Sequence, residues 1–178
     1  MKTSGVEYVI LGALSWGPRS GYEIKQLVDK STRFFWAASY GQIYPELRRL
    51  EEAGLVAGAA DPQGGRPRRR YTLTPAGRAR LREWLLDESA GYELRDEGLL
   101  KLFFSRVLDP GEELEVLQAL RADREAVLDQ LRGIERLGVA RLSAALVLDY
   151  GIRNHEWMVE WCLEAEQRLA GEVKEVAS

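Results

Sequence analysis

The chain has few of the residues that build disulfide frameworks, metal centres and hydrolytic active sites. Its 178 residues include one cysteine, Cys162, and one histidine, His155. A lone cysteine excludes an intrachain disulfide, and its apolar surroundings favour a packed thiol over a reactive one. A lone histidine without carboxylates at ligand spacing argues against a metal site. No Ser/His/Asp set, Cys/His pair or phosphate-binding loop is visible, so we expect no catalysis and no cofactor.

Long apolar runs are missing as well. None approaches the roughly 20 residues that a helix needs to cross a bilayer. The short apolar run at 9–14 closely follows Glu7, and no cleavage-like segment comes after it, which argues against a signal peptide. We therefore expect a cytoplasmic protein without membrane contact.

The net charge of −3 conceals an uneven distribution of charge. Residues 1–86 carry 14 Lys or Arg and 8 Asp or Glu, whereas residues 87–178 carry 11 and 20. The first part is therefore basic and the second part acidic. A basic module that meets polyanions is compatible with an acidic chain, because each domain is judged by its own charge.

The stretch 39–54 organises the basic part and is predicted to form a helix. Ser39 is a favoured N-cap residue, and Gln42 three residues later completes a capping box. Gly54 is placed to end the helix. Spacings of four and three residues put one apolar face on it, formed by Ile43, Leu47 and Leu50. Pro45 disturbs a helix interior, so a start at Tyr44 is the alternative, but the phase of Ile43 favours the earlier start.

The outward side of this helix carries residues that suit DNA. Tyrosines stack on sugars, amides bond base edges and arginines bind phosphates. The side chains concerned are Tyr40, Gln42, Tyr44 and Arg48. Ser39 lies among them but is occupied by capping, and Gln42 cannot cap the helix and read a base equally well. A capped amphipathic helix with a solvated outer side is the plainer interpretation of this stretch taken alone.

Two helices are predicted before this stretch. Apolar residues between 6 and 14 mark one face of the first, which the turn at 16–18 ends. Ser20 and Glu23 form a second capping-box pattern, which opens a short helix. The aromatic run 34–36 then forms a connector. Its side chains are either core or a lid over the seam between helices, and core is the simpler interpretation.

A β-hairpin is predicted after Gly54. Residues 55–60 and 69–74 have strand patterns, and the turn 61–67 joins them. The tip and the second strand hold four arginines: Arg66, Arg68, Arg69 and Arg70. Each one alone is readily a solvated side chain. Four in five positions repel one another unless an anion is near, so the cluster favours contact with phosphates.

The order of elements predicts a winged helix-turn-helix. Thr74 as N-cap and Pro75 at the first helical position begin a helix after the hairpin, with Leu81, Trp84 and Leu85 on its buried side. In this fold the second helix of the turn motif lies in the major groove, and the hairpin, or wing, touches the adjacent backbone. The groove would meet Tyr40, Gln42 and Tyr44. The phosphate backbone would meet Tyr22, Lys25, Arg48 and the four wing arginines.

The acidic part is predicted to be helical. We place a boundary in the polar segment 87–94, which gives a DNA-binding domain at 1–88 and a helical dimerisation domain at 89–178. An apolar helix is expected at 99–108. Asp109-Pro110 begins a long helix that runs to about Leu137 and ends at Gly138, and a last helix runs from Leu142 to about Leu169. The fold class is therefore mainly α, with three helices and a β-hairpin wing followed by a helical domain.

The last helix carries two apolar stripes. One comprises Leu146, Tyr150, Trp157 and Trp161, and the other Ala145, Leu148, Ile152, Val159 and Leu163. Two stripes are more than one neighbouring helix can cover. Packing within the chain and across a homodimer accounts for both, and a two-fold dimer matches paired DNA half-sites.

The chain resembles the PadR family of bacterial transcription regulators. The stretches that carry the resemblance in the first half are 10–14, 17–18, 21–24, 39–47 (SYGQIYPEL), 50–56 (LEEAGLV) and 70–77 (RYTLTPAG). The second half looks like the branch whose C-terminal domain resembles that of the virulence-gene activators. Its stretches are 100–105 (LKLFFS), 108–110, 148–152 (LDYGI) and 156–157.

The resemblance implies a homodimer held by C-terminal helices and bound to a palindromic operator. Most such proteins are repressors, and some are released by small aromatic or phenolic molecules that bind near the dimer seam. Residues that could line such a site here are Trp36, Tyr92, Phe103, Trp157 and Trp161. An ordinary aromatic core explains the same residues more simply. A winged-helix module that binds an acidic protein partner, without an effector, is the alternative function.

Overall fold

The computed structural model describes residues 5–61, 68–87 and 94–176. Contacts divide the chain into two compact units, Met1–Gly91 and Tyr92–Ser178. The first contains α1 (Gly5–Ser15), β1 (Arg19–Ser20), α2 (Gly21–Lys30), α3 (Tyr40–Glu52), β2 (Val56–Asp61), β3 (Arg68–Leu73) and α4 (Pro75–Leu85). The second contains α5 (Glu97–Phe103), α6 (Pro110–Leu137) and α7 (Leu142–Val176). Short 3-10 turns lie at Thr32–Phe34 and Ser105–Val107.

The core of the first unit is where helices α1 to α3 meet the sheet. The apolar side of α3 is wholly buried there, as its four-and-three spacing predicts. Residues without exposed surface are Ile10, Leu11, Ile24, Ile43, Leu47 and Leu50. Val56 and Tyr71 bring the two strands of the wing onto the same cluster. Packing of its buried side against the core therefore fixes the orientation of α3 and of the residues on its outer side.

Helix α3 has the predicted ends. It begins after Ser39 and contains Pro45, so the earlier of the two possible starts is confirmed. At its other end Gly54 has φ +70°. The Gly54 N–H donates to the Glu51 carbonyl at 3.0 Å, and the Leu55 N–H donates to the Leu50 carbonyl at 2.9 Å. This pair of bonds is a Schellman motif, which glycine stabilises because it adopts positive φ without steric cost.

The wing is an antiparallel hairpin with an added third strand. Strand order is β1-β3-β2, and Val56 lies opposite Leu73. Strand β1, which no sequence pattern predicted, pairs Arg19 with Tyr71 and Ser20 with Arg70. Two residues are too few to show an alternation of apolar and polar side chains. The pairing fixes the start of α2 against the wing.

Several aromatic residues predicted to be buried are exposed. Phe35 is 61% exposed and Trp36 47%, so the core interpretation of the connector was wrong. The Trp36 ring fills the space where Gly5 lacks a side chain, and this covers only part of it. On α4, Leu81 is buried but Trp84 and Leu85 are exposed. Trp84 stacks on Tyr8, with ring centroids 4.2 Å apart, and this covers one face of its indole.

The second unit is built on α6 and α7. Asp109 caps α6, and Gly138 with φ +81° follows its last residue, as predicted. Ion pairs of Arg121 with Glu166 and of Arg132 with Glu156 show that the two helices run antiparallel. Helix α7 extends to Val176, beyond its predicted end. Cys162 is buried against Leu117 and Leu120, and this burial raises the pKa of its thiol, so it is packed as expected.

Apolar side chains remain exposed on the second unit. The single helix expected at 99–108 is broken after Phe103, and a 3-10 turn follows. One stripe of α7 packs inward at Ile152 but is exposed at Leu163. The other is exposed at Leu146, Tyr150 and Trp157 and packs on the core at Trp161. The exposed residues include Leu99, Leu100, Phe103, Phe104, Val107, Leu142, Leu146, Tyr150 and Trp157. No helix in the described part of the chain is long and apolar enough to cross a membrane.

Candidate nucleic-acid interface

Three tyrosines from two helices form one exposed surface, which we name the tyrosine face. Tyr22 comes from α2, and Tyr40 and Tyr44 come from α3. The ring centroids of Tyr22 and Tyr40 are 6.5 Å apart, and those of Tyr40 and Tyr44 are 6.1 Å apart, with interplanar angles of 11° and 20°. All three are more than two-fifths exposed. Near-parallel rings with polar tips offer stacking surfaces and hydrogen-bond donors to sugars and bases.

Lys25 lies at the edge of the tyrosine face. Its Nζ is 5.5 Å from the centroid of the Tyr40 ring, a cation–π distance, and it forms an ion pair with Asp29. Only 16% of the Lys25 side chain is exposed. This lysine therefore supports Tyr40 as well as carrying charge, and its contact with phosphate stays a prediction.

The start of α3 is closed by its own side chains. The Ser39 N–H donates to Gln42 Oε1 at 3.0 Å, and the Ser39 hydroxyl donates to the same oxygen at 3.2 Å. Both residues are exposed. Ser39 is the N-cap residue and pairs with Gln42 in the predicted capping box. The side-chain bonds of this box are accepted by Gln42.

The two arginines in the middle of α3 have different environments. Arg48 is exposed and forms no ion pair with any residue that the structure describes. Arg49 pairs with Glu46 and with the buried Glu7, and these bonds raise the pKa of Arg49 well above its usual value. Arg48 is therefore the arginine of α3 that is available to an external anion.

Glu7 is a buried carboxylate that no sequence motif marked. It is 3% exposed and pairs with Arg49 of α3 and Arg80 of α4. Arg80 also lies over the Tyr8 ring, 5.5 Å from its centroid. A buried charge is stable when it is paired in this way. The one sequence signal for a buried carboxylate here is the position of Glu7 among the apolar residues on the buried face of α1.

Arg69 of the wing is paired within the protein. Its guanidinium forms an ion pair with Glu51, whose Oε1 also accepts from the Gly58 N–H at 3.0 Å. The Arg69 bond is the main cause that lowers the pKa of the Glu51 carboxyl. A side chain at Gly58 would collide with both partners, at 2.5 Å from Arg69 Nε and 2.7 Å from Glu51 Oε1. Glu51 thus joins the end of α3 to both strands of the wing.

Arg70 is held on the other side of β3. Its guanidinium donates to Glu23 Oε1 at 3.3 Å and to the Pro18 carbonyl at 3.2 Å. Glu23 belongs to the capping box of α2, and the Ser20 N–H, which donates to it at 2.7 Å, is the main cause that lowers the pKa of this carboxyl.

The anions near the arginine cluster are thus in part the protein's own. Glu51 and Glu23 offset some of the repulsion that we had assigned to an external partner. Arg66 and the side chain of Arg68 lie outside the described residues. Arg69 and Arg70 remain about half exposed, and phosphate contact by the wing stays a prediction.

The five residues named for an effector differ in their surroundings. Trp36, Phe103 and Trp157 are exposed, whereas Trp161 packs on the core cluster that includes Leu117 and Cys162. Tyr92 lies outside the described residues. For Trp161 the core interpretation is therefore correct, and an effector site at the others stays a prediction.

The fold and this surface define a winged-helix transcriptional regulator. A model of the PadR-like family of transcriptional regulators matches residues 10–83, and a model of the virulence activator alpha C-terminal domain matches residues 94–170. A probable transcriptional regulator of Mycobacterium tuberculosis is 33% identical over 91% of this chain and 96% of its own length. The negative transcriptional regulator PadR of Bacillus subtilis is 34% identical over 72% of this chain and 71% of its own length.

The chain belongs to the PadR-like family of transcriptional regulators and is not an enzyme. Solved structures of PadR have the same fold over nearly the whole chain. Bacillus subtilis PadR in complex with operator DNA has a TM-score of 0.84, with 28% identity over 93% of this chain and 99% of that one. The same protein in complex with p-coumaric acid has a TM-score of 0.73, with 27% identity over 93% and 95%.

Proposed function

We propose that the protein is a homodimeric repressor that binds a palindromic operator and is released by a small aromatic acid. The observation that carries the proposal is the outer side of α3. It presents Tyr40, Gln42, Tyr44 and Arg48 on a helix whose inner side is fully buried. A similar fold is found in a relative bound to operator DNA. The N-terminal half of α3 would enter the major groove, as the second helix of this motif does.

Phosphate contacts would surround this helix. Arg48 supplies a charge that no described residue pairs, and Arg69 and Arg70 keep about half of their side-chain surface exposed although each has a carboxylate partner. Phosphates hold a protein in register without reading sequence, and their neutralisation makes binding depend on salt. Specific reading is therefore assigned to α3 and positioning to the wing and α2.

The open stripe of α7 supports the homodimer. Leu146, Tyr150 and Trp157 are each about 60% exposed in the single chain. Contiguous apolar surface of this kind commonly marks a protein interface. A second copy presents the same stripe, and a two-fold pair of winged helices fits an inverted repeat in DNA. An operator in a bacterial chromosome would place the protein in the cytoplasm.

The effector is proposed from a relative and from the aromatic content of the second unit. Bacillus subtilis PadR, a negative regulator, has been crystallised with p-coumaric acid. Phe103 and Trp157 offer exposed rings that a planar aromatic acid could contact in a dimer. Release from DNA would follow if the acid binds better to a form of the dimer that does not fit the operator.

The proposal is tested by selection and titration. Random-sequence duplexes are enriched on the full chain, and the enriched duplex is titrated against a shuffled one at roughly 50 and 200 mM salt. We expect an inverted repeat, a preference of at least about 1000-fold over the shuffled duplex and a steep loss of affinity with salt. Addition of p-coumaric acid should then lower the affinity of the protein for the enriched duplex and leave its affinity for the shuffled duplex unchanged. Absence of any enriched sequence would contradict the proposal and favour a protein partner.

A further inference from the structure

The hydrogen bonds of Gln42 limit what its side chain can offer to a base. Its Oε1 accepts from the Ser39 N–H at 3.0 Å and from the Ser39 hydroxyl at 3.2 Å. A backbone N–H can only donate, so the oxygen of the amide must face Ser39. Both lone pairs of that oxygen are then used. The Nε2 group donates to none of the residues that the structure describes and is left on the exposed side of α3.

An amide whose oxygen and NH2 group are both free prefers a different base from an amide whose NH2 group alone is free. A glutamine with a free amide pairs with adenine by accepting from N6 and donating to N7. Guanine presents two acceptors, O6 and N7, which suit a group that only donates. We infer that Gln42, held by Ser39, is a donor-only reader that selects guanine over adenine at one base pair of each half-site. This inference rests on the proposed function.

The capping box makes the orientation costly to reverse. The two-bond contact with adenine needs Oε1 to accept from N6, which would turn this oxygen away from Ser39, leave the N-cap N–H without its partner and weaken the start of the helix. With Oε1 held by Ser39, adenine offers Nε2 one acceptor, N7, whereas guanine offers two. Gln42 is exposed in the first turn of α3, and this is the end of the helix assigned to the groove, so the Nε2 group is available there. Ser39 is thus a positioning residue for the base contact and touches no base itself.

Two substitutions at position 42 test the inference on duplexes enriched by the wild-type protein. Gln42→Glu keeps an oxygen for Ser39 and replaces the donor with an acceptor. Its preference at one base pair should change from guanine to cytosine, whose N4 donates. Gln42→Ala should lose the guanine preference at that pair by roughly tenfold and keep the preferences elsewhere. Gln130→Ala, at an exposed glutamine of α6, is the control and should change no preference.

The thermal unfolding of each variant shows whether a changed base preference comes from a lost base contact or from a destabilised protein. Gln42→Glu retains the capping box and should unfold near the wild-type temperature, so its altered preference would not reflect a damaged helix. If the wild-type protein prefers adenine at the base pair whose preference is lost in Gln42→Ala, the inference is overturned. An equal loss on every sequence would also overturn it, because Gln42 would then be a cap alone. If the wild-type protein enriches no sequence, the proposed function fails as well.

Discussion

Glu51 in the last turn of α3 and Arg69 in β3 form an ion pair that joins helix α3 to the wing. The Gly58 N–H donates to the same carboxylate, so one side chain contacts both strands of the hairpin. The distance between groove contacts and backbone contacts on DNA is fixed by geometry. In the proposed complex, a wing held by Glu51 would have that geometry before DNA binds, which would lower the entropy lost on binding.

Replacement of Glu51 should weaken DNA binding without changing its sequence preference. Glu51→Gln removes the charge that holds Arg69, so the wing loses one of its attachments. We expect the affinity for the enriched duplex to fall about three- to tenfold, with the same order of preferred bases. Anisotropy titrations measure this. Glu52→Gln, which removes an exposed carboxylate one residue later, is the matched control. Equal losses in the two variants would show that Glu51 has no special role.

The ion pair of Glu51 with Arg69 should depend on pH in a defined direction. The pKa of the Glu51 carboxyl is lowered from its ordinary value in the folded protein, chiefly by the hydrogen bond from Arg69, so the ionised form is the one that the fold favours. The stabilisation is then complete above about pH 4.5 and is lost as the pH falls through the folded value. The difference in melting temperature between wild type and Glu51→Gln should be constant near neutral pH and shrink below that point. A difference that grows on acidification would contradict this.

Arg48 should contribute one phosphate contact. Arg48→Ala is expected to weaken binding to all duplexes alike and to reduce the slope of log affinity against log salt by about 0.9. The reason is that Arg48 has no carboxylate partner among the described residues. Arg153→Ala, which removes an exposed arginine from α7, should leave the slope unchanged. An unaltered slope in Arg48→Ala would mean that Arg48 does not reach the backbone.

Local chemistry explains which parts of the fold could be predicted from sequence. Ser39, Gly54, Asp109 and Gly138 mark helix ends because caps act over a few residues, and each was placed correctly. The partners of Glu7, Arg49 and Arg80, are distant along the chain, so the sequence around Glu7 could not show how this carboxylate is paired.

The same reasoning applies to the candidate site. The outer residues of α3 follow from helical periodicity once its inner side is known. The pairing of Arg69 with Glu51 and of Arg70 with Glu23 depends on how the wing folds back, and the sequence alone presented these arginines as an unpaired cluster. The position of Trp84 is likewise a tertiary outcome, since one face of its ring stacks on Tyr8 and the rest of the side chain is exposed.

Gly77 offers a test of the packing that supports the wing. A Cβ at this position would lie 2.0 Å from the Leu55 carbonyl oxygen, which is backbone and cannot move aside cheaply. We expect Gly77→Ala to lower the free energy of unfolding by about 1–3 kcal/mol in denaturant titrations. Gly12→Ala is the control, because a Cβ at Gly12 in α1 would meet no atom within 4 Å. It should be neutral or stabilising by up to about 1 kcal/mol.

The open stripe of α7 predicts a charge-sensitive dimer. Trp157→Glu should not disturb the folded subunit, since the indole is 59% exposed, but would bury a charge in the proposed interface. We expect the dimer dissociation constant to rise at least about 30-fold, as for loss of a central tryptophan contact. Light scattering across a dilution series measures it. Gln167→Glu adds the same charge at an exposed position of the same helix and should dimerise like the wild type.

The most direct test of DNA reading by α3 is the sequence discrimination of a variant that lacks two rings of the tyrosine face. Tyr40→Ala with Tyr44→Ala removes exposed side chains and leaves the buried side of α3 intact. We predict that the ratio of affinities for enriched and shuffled duplexes falls at least about tenfold, while the melting temperature and the dimer are retained. An unchanged ratio would show that this side of α3 does not read DNA and would contradict the proposed function.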